Sequence, residues 1–131
     1  MPLTSSGDRI RYARQKNELT MKELSQVAEI SITSIGYIER NVVVASLPTL
    51  RKLSKCLKEP IHFLGCFEGM PEDTIGQRFK KARYYRGLLG REAADLICVD
   101  EKTINNWESG RKVPSNKYYC KIKEFLKIIE I

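Results

Sequence analysis

Histidine occurs once in this chain, at position 62, and tryptophan once, at position 107. One imidazole is too little for a histidine-based metal centre, and no G-x-S-x-G elbow or phosphate-cradling G-x-x-x-x-G-K-[ST] loop is present. His62, in Pro60-Ile61-His62-Phe63-Leu64, reads as a packing or surface residue. Catalysis is not expected, and no catalytic residue, metal ligand or cofactor is assigned. The four cysteines, Cys56, Cys66, Cys98 and Cys120, lie 10, 32 and 22 positions apart with no C-x-x-C pair. That spacing suits neither a zinc site nor a small disulfide framework, so buried, reduced thiols are expected. No stretch approaches the ~20 apolar residues of a membrane span. The opening MPLTSSGDRIR lacks the apolar run of a leader, so no membrane partner and a cytoplasmic location are expected. Alternating β-branched runs are also missing, which leaves an all-α fold.

What the sequence does have is 131 residues, 42% of them hydrophobic, with 23 Lys+Arg against 16 Asp+Glu for a net charge of +7. The length admits one medium domain or two small ones, and the basic balance suits a polyanionic partner. Internal repetition decides between the two. Laying 7–39 on 76–108 pairs Gly7/Gly76, Arg9/Arg78, Ala13/Ala82, Arg14/Arg83, Leu19/Leu88, Glu23/Glu92, Ile35/Ile104 and Glu39/Glu108 without a gap. These eight identities exceed the roughly two expected by chance. We therefore expect two copies of one unit, a first domain over 1–68, a linker over 69–73 and a second domain over 74–131. The linker carries Gly69 and Pro71, and Asp73 or Thr74 is placed to cap the next helix.

Periodicity within each copy is helical. A basic helix from about Gly7 to Asn17 is followed by Thr20-x-x-Glu23, a capping box opening a second helix with Leu24, Val27 and Ala28 inward. Ser31 caps a third helix with Ile35 and Ile38 inward. Pro48 opens a fourth carrying Leu50, Leu53 and Leu57, and Pro60 opens a short fifth. In the second copy the fourth helix is predicted from near Pro114, holding Tyr119, Ile122, Phe125, Leu126 and Ile129.

The run Leu19-Thr20-x-x-Glu23-Leu24-x-x-x-Ala28-x-Ile30-Ser31-x-x-x-Ile35-x-x-Ile38-Glu39-Arg40 resembles the helix-turn-helix of the phage repressor and Cro-like (XRE-type) family. Leu88 through Gly110 resembles it again. The resemblance implies two tandem lambda-repressor-like domains of about four to five helices each, with recognition helices near 31–40 and 100–108. It implies double-stranded DNA as the partner and transcriptional regulation as the function. It also implies two structural ion pairs, Arg14 with Glu39 and Arg83 with Glu108. Candidate base contacts in the first copy come from Met21, Ile32, Thr33, Gly36 and Tyr37, of which Thr33 and Tyr37 can hydrogen-bond. In the second they are Glu101, Lys102, Asn105 and Asn106, whose chemistry matches cytosine, guanine and adenine edges. Candidate phosphate contacts are Thr20, Lys22, Arg40, Arg91, Arg111 and Lys112. The sequence departs from the family pattern at Met21 and Gly90, where Gln is frequent, and at Glu29 and Cys98, where the turn glycine belongs. It departs again at Val42, Val43 and Val44, which replace the basic loop of the second copy. That apolar loop, or the C-terminal Ile128, Ile129 and Ile131, is a candidate surface for a homodimer or protein partner. The competing function is a protein-interaction module on a degenerate scaffold, binding a partner regulator or acting like an antitoxin.

Overall fold

The computed structural model describes residues 3–130. The chain divides into two compact units, Met1–Glu68 and Gly69–Ile131. Among the described residues every regular element is helical. The first unit holds α1 (Ser6–Lys16), α2 (Met21–Ala28), α3 (Ile32–Glu39), α4 (Leu47–Leu57) and α5 (Ile61–Gly65). The second holds α6 (Ile75–Tyr85), α7 (Gly90–Ile97), α8 (Glu101–Ser109) and α9 (Tyr119–Leu126). A shift of 69 positions carries the first residue of α1 to that of α6 (Ser6 to Ile75), α2 to α7 (Met21 to Gly90) and α3 to α8 (Ile32 to Glu101).

Short polar side chains start these helices by satisfying backbone N–H groups that have no partner within the helix. Thr20 Oγ1 accepts from Glu23 N–H at 3.0 Å while Glu23 Oε1 accepts from Thr20 N–H at 2.9 Å, a closed capping box. Thr74 and Gln77 form another at the start of α6. Leu89 has no capping oxygen, and the Glu92 carboxylate alone accepts the Leu89 N–H at 2.7 Å. Glu29 (φ 57°) ends α2 and Cys98 (φ 66°) ends α7 in left-handed backbone. Both make the turn without the glycine that adopts it most cheaply.

In the first unit, Ile10, Leu24, Ile35, Leu53, Leu57 and Leu64 are almost completely buried. Each contributes about 1.5–3 kcal/mol relative to exposure. In the second, Phe79 stacks on Phe125 with centroids 4.6 Å apart and meets Trp107 edge-on at 5.8 Å. Ile104 and Ile122 close that core.

Several expectations are corrected. Val27 is 59% exposed, because Leu24 and Ala28 alone supply the buried face of the two-turn α2. Leu96, its counterpart on α7, is equally exposed. The last helix begins at Tyr119, after a 3-10 turn over Asn116–Tyr118, rather than near Pro114, and Tyr119 faces solvent. It ends at Leu126, so Ile129 lies in a further 3-10 turn. The cysteines are free but not buried: Cys98 and Cys120 are exposed, and Cys56 and Cys66 are partly so. Gly36 is buried, with Met21 Cε 3.3 Å from where a Cβ would stand. Ile128 and Ile129 are half-buried against the second core rather than forming an exposed excess. Ile131 lies outside the described residues. Gly69, expected to open the linker, closes a 3-10 turn that starts at Phe67. No helix among the described residues is long and apolar enough to cross a membrane.

Candidate nucleic-acid interface

In each unit a three-residue break separates two short helices, and an ion pair fixes the second of them to the first helix of the unit. Glu39, at the last turn of α3, is only 3% exposed. Arg14 Nε donates to its Oε2 at 2.7 Å and Nη2 to its Oε1 at 3.0 Å, while Nη1 donates to the Leu19 carbonyl at 2.8 Å. The hydrogen bonds it donates to Glu39 hold the Arg14 pKa above its ordinary value. A planar fork against a carboxylate fixes direction as well as distance. The second unit repeats the arrangement. Arg83 Nε donates to Glu108 Oε2 at 2.7 Å, Nη2 to Oε1 at 2.9 Å, and Nη1 to the Leu88 carbonyl at 3.0 Å. Burial opposes the charge of Arg83, but the Glu108 hydrogen bonds and attraction outweigh it and leave the pKa raised.

Close backbone approach adds to this clamp. A Cβ on Gly7 would stand 2.5 Å from the Ile38 carbonyl oxygen, and one on Gly76 still closer to that of Trp107. Asn41 Oδ1 accepts from Gly7 N–H at 2.9 Å, and Asn41 Nδ2 donates to Ser5 Oγ at 3.1 Å. The far end of α3 is thus tied to the start of α1, which fixes the angle at which the outer face of α3 is presented.

On that outer face Thr33 and Tyr37 are exposed, with Thr20 and Lys22 at the start of α2 and Arg40 after α3. The Thr20 hydroxyl accepts the cap bond from Glu23 N–H. Arg40 stacks its guanidinium 5.4 Å from the Tyr37 ring centroid. An open cleft of about 380 Å³ beside it is lined by Arg11, Arg14, Gln15, Met21, Gly36, Glu39 and Arg40. Arg11 and Gln15 were missed by the sequence reading; the signal was the position of Arg11 one turn before Arg14 on α1. Arg11 Nε lies 3.6 Å from Glu39 Oε1, so its charge also faces this cleft. Val42, Val43 and Val44 follow in the loop, all exposed, with the Val42 and Val43 N–H groups bonded to the Tyr37 carbonyl.

The second unit offers different chemistry in the same framework. Asp100 caps α8, accepting from Thr103 N–H at 2.8 Å and from its hydroxyl at 2.5 Å, and the Thr103 hydroxyl and N–H hold the Asp100 carboxyl below its usual range. Glu101, Lys102 and Asn105 are exposed on α8 and Asn106 is half-buried. The Glu101 carboxylate leans to within 3.3 Å of the Cβ position of Gly90, at the start of α7, where a helix dipole favours negative charge. Gly110 turns the chain out of α8 at φ 81°, and Lys112 N–H donates back to the Asn106 carbonyl at 3.2 Å, holding the exposed Arg111 and Lys112 beside the helix. Arg91 is exposed in the first turn of α7. No group of three His, Cys, Asp or Glu among the described residues is placed to hold a metal ion. A family model described as helix-turn-helix matches residues 10–64. No curated protein and no solved structure matches the chain.

Proposed function

Residues 10–64 belong to the helix-turn-helix family, and from that premise we propose that the chain is a sequence-specific double-stranded DNA-binding protein that regulates transcription. In this reading it is built of two tandem helix-turn-helix units. The matching starts of α1, α2 and α3 with α6, α7 and α8 support the duplication, as do the paired clamps Arg14–Glu39 and Arg83–Glu108. The observation that carries the reading is the outer face of α8. It holds an acceptor at Glu101, a cation at Lys102 and amides at Asn105 and Asn106, with Arg111 and Lys112 tied beside them. Lys donates to guanine, Asn bonds adenine through two contacts and Glu accepts from cytosine, so this helix has the groups to read the major groove. Thr20, Lys22, Arg40, Arg91, Arg111 and Lys112 supply contacts to phosphate. The net charge of +7 suits such a partner.

A second reading, in which the first unit binds protein, is favoured by the exposed Val42, Val43 and Val44. Titrating salt against binding of the full chain to random duplex separates the two. Phosphate contact makes log K fall linearly with log salt, whereas absence of binding at low salt leaves the interaction reading standing.

A further inference from the structure

We infer that α3 of the first unit reads thymine, by apolar contact with its C5-methyl group. The inference rests on the proposal that the chain binds duplex DNA, and names what the first unit recognises there. The solvent face of α3 is formed by Ile32, 47% exposed, Thr33, Ser34, and Tyr37, 43% exposed. The only charged side chain in this helix, Glu39, is buried and held by Arg14. Ser34 Oγ is engaged with the capping Ser31 Oγ at 2.9 Å. The thioether methyl of Met21 covers Gly36 and extends the apolar surface into the middle of the helix.

A helix with this face has no group for the two-bond recognition of guanine or adenine. Among base edges in the major groove, only thymine presents an apolar feature, its methyl. The surroundings favour duplex DNA as the occupant over an apolar protein surface. Lys22 and Arg40 flank the face with positive charge, which an apolar partner would leave without a counter-charge and a phosphate backbone would neutralise. α8 presents hydrogen-bonding groups at the corresponding positions, so the two units would divide the work. One reads polar base edges, and the other reads methyl groups in A·T-rich sequence.

The test uses the full chain and three kinds of duplex, the last in two versions, each of about two helical turns (~20 base pairs). One is oligo(dA)·oligo(dT), the second has every thymidine replaced by deoxyuridine, and the third is a G·C duplex made with cytosine or with 5-methylcytosine. Loss of the thymine methyl should weaken binding by about threefold to fourfold per contacted methyl. Adding a methyl to cytosine should strengthen it. The partly exposed Ile32 tolerates replacement, and Ile32→Ser should flatten both differences while leaving the salt dependence unchanged. Equal, salt-dependent binding to thymidine and deoxyuridine duplexes overturns the inference but leaves DNA binding intact, and turns the face toward a protein partner. Discrimination that survives in Ile32→Ser combined with Tyr37→Ser assigns methyl reading elsewhere and also overturns it. No binding at low salt removes the DNA proposal and this inference together.

Discussion

Arg83 and Glu108, 25 positions apart in sequence, meet through two parallel N–H···O bonds of 2.7 and 2.9 Å with little solvent at either side chain. Arg14 and Glu39 do the same in the first unit. A charge held this deep is costly once its partner is removed. Arg83→Met should therefore destabilise the second unit by about 3–5 kcal/mol, and adding Glu108→Leu should recover most of the loss. Trp107, the sole tryptophan, lies in that unit, so its fluorescence in urea reports the unfolding directly. An unchanged midpoint in Arg83→Met would show that the pair does not hold α8.

Gly76 faces the Trp107 carbonyl with no room for a side-chain carbon, whereas Gly110, at φ 81°, has nothing within 4 Å of its Cβ position. Gly76→Ala must push α6 away from α8 and should cost several kcal/mol, in the range of overpacked cores or more. Gly110→Ala meets only backbone strain, of about 1–3 kcal/mol. Thermal melts of both variants, followed at Trp107, should rank them in that order.

The Asp100 carboxyl is held low by the Thr103 hydroxyl and N–H, that of Glu23 by the Thr20 backbone, and that of Glu68 by the Arg9 hydrogen bond. A carboxyl whose pKa is depressed in the folded state lends stability that is complete above its unfolded value and is lost as pH falls through the folded one. The melting temperature should hold from neutral pH to about 5 and fall below about pH 4. Asp100→Asn keeps a capping oxygen without the titration. Its deficit relative to the native chain should shrink between pH 7 and pH 3; parallel curves would contradict the assignment.

Asn106→Ala and Lys102→Ala should alter which duplexes are selected from a random pool, with a loss of about 1–3 kcal/mol on preferred sites. Arg111→Ala should instead weaken all sequences alike and lower the salt slope by about one. Unaltered affinity and selection in Asn106→Ala would remove α8 as the reader.

The features legible in the sequence were those set by local chemistry or strict geometry. The T-x-x-E box opens α2 because its two hydrogen bonds need only residues three apart. The coincidence of Gly7 with Gly76 marks two places where one helix backbone touches another. Spacing failed where tertiary neighbours decide. Val27 has the periodicity of a core residue, but the short α2 turns only Leu24 and Ala28 inward. Pro114 has the form of a helix opener, but the chain makes a 3-10 turn before α9 begins. Composition could not foresee the exposure of Cys98, which follows from its place at a turn. At the site, the resemblance put Arg14 on Glu39, but spacing alone did not show that Arg11, one turn earlier on α1, would also approach that carboxylate while staying half open to the cleft.

Glu29 and Cys98 keep a side chain where the backbone conformation asks for none. Glycine at either elbow would relieve about 1–2 kcal/mol of crowding and give back about 0.5–1 kcal/mol through the looser unfolded chain. The balance leaves thermal headroom in both units, within reach of a single substitution at either elbow.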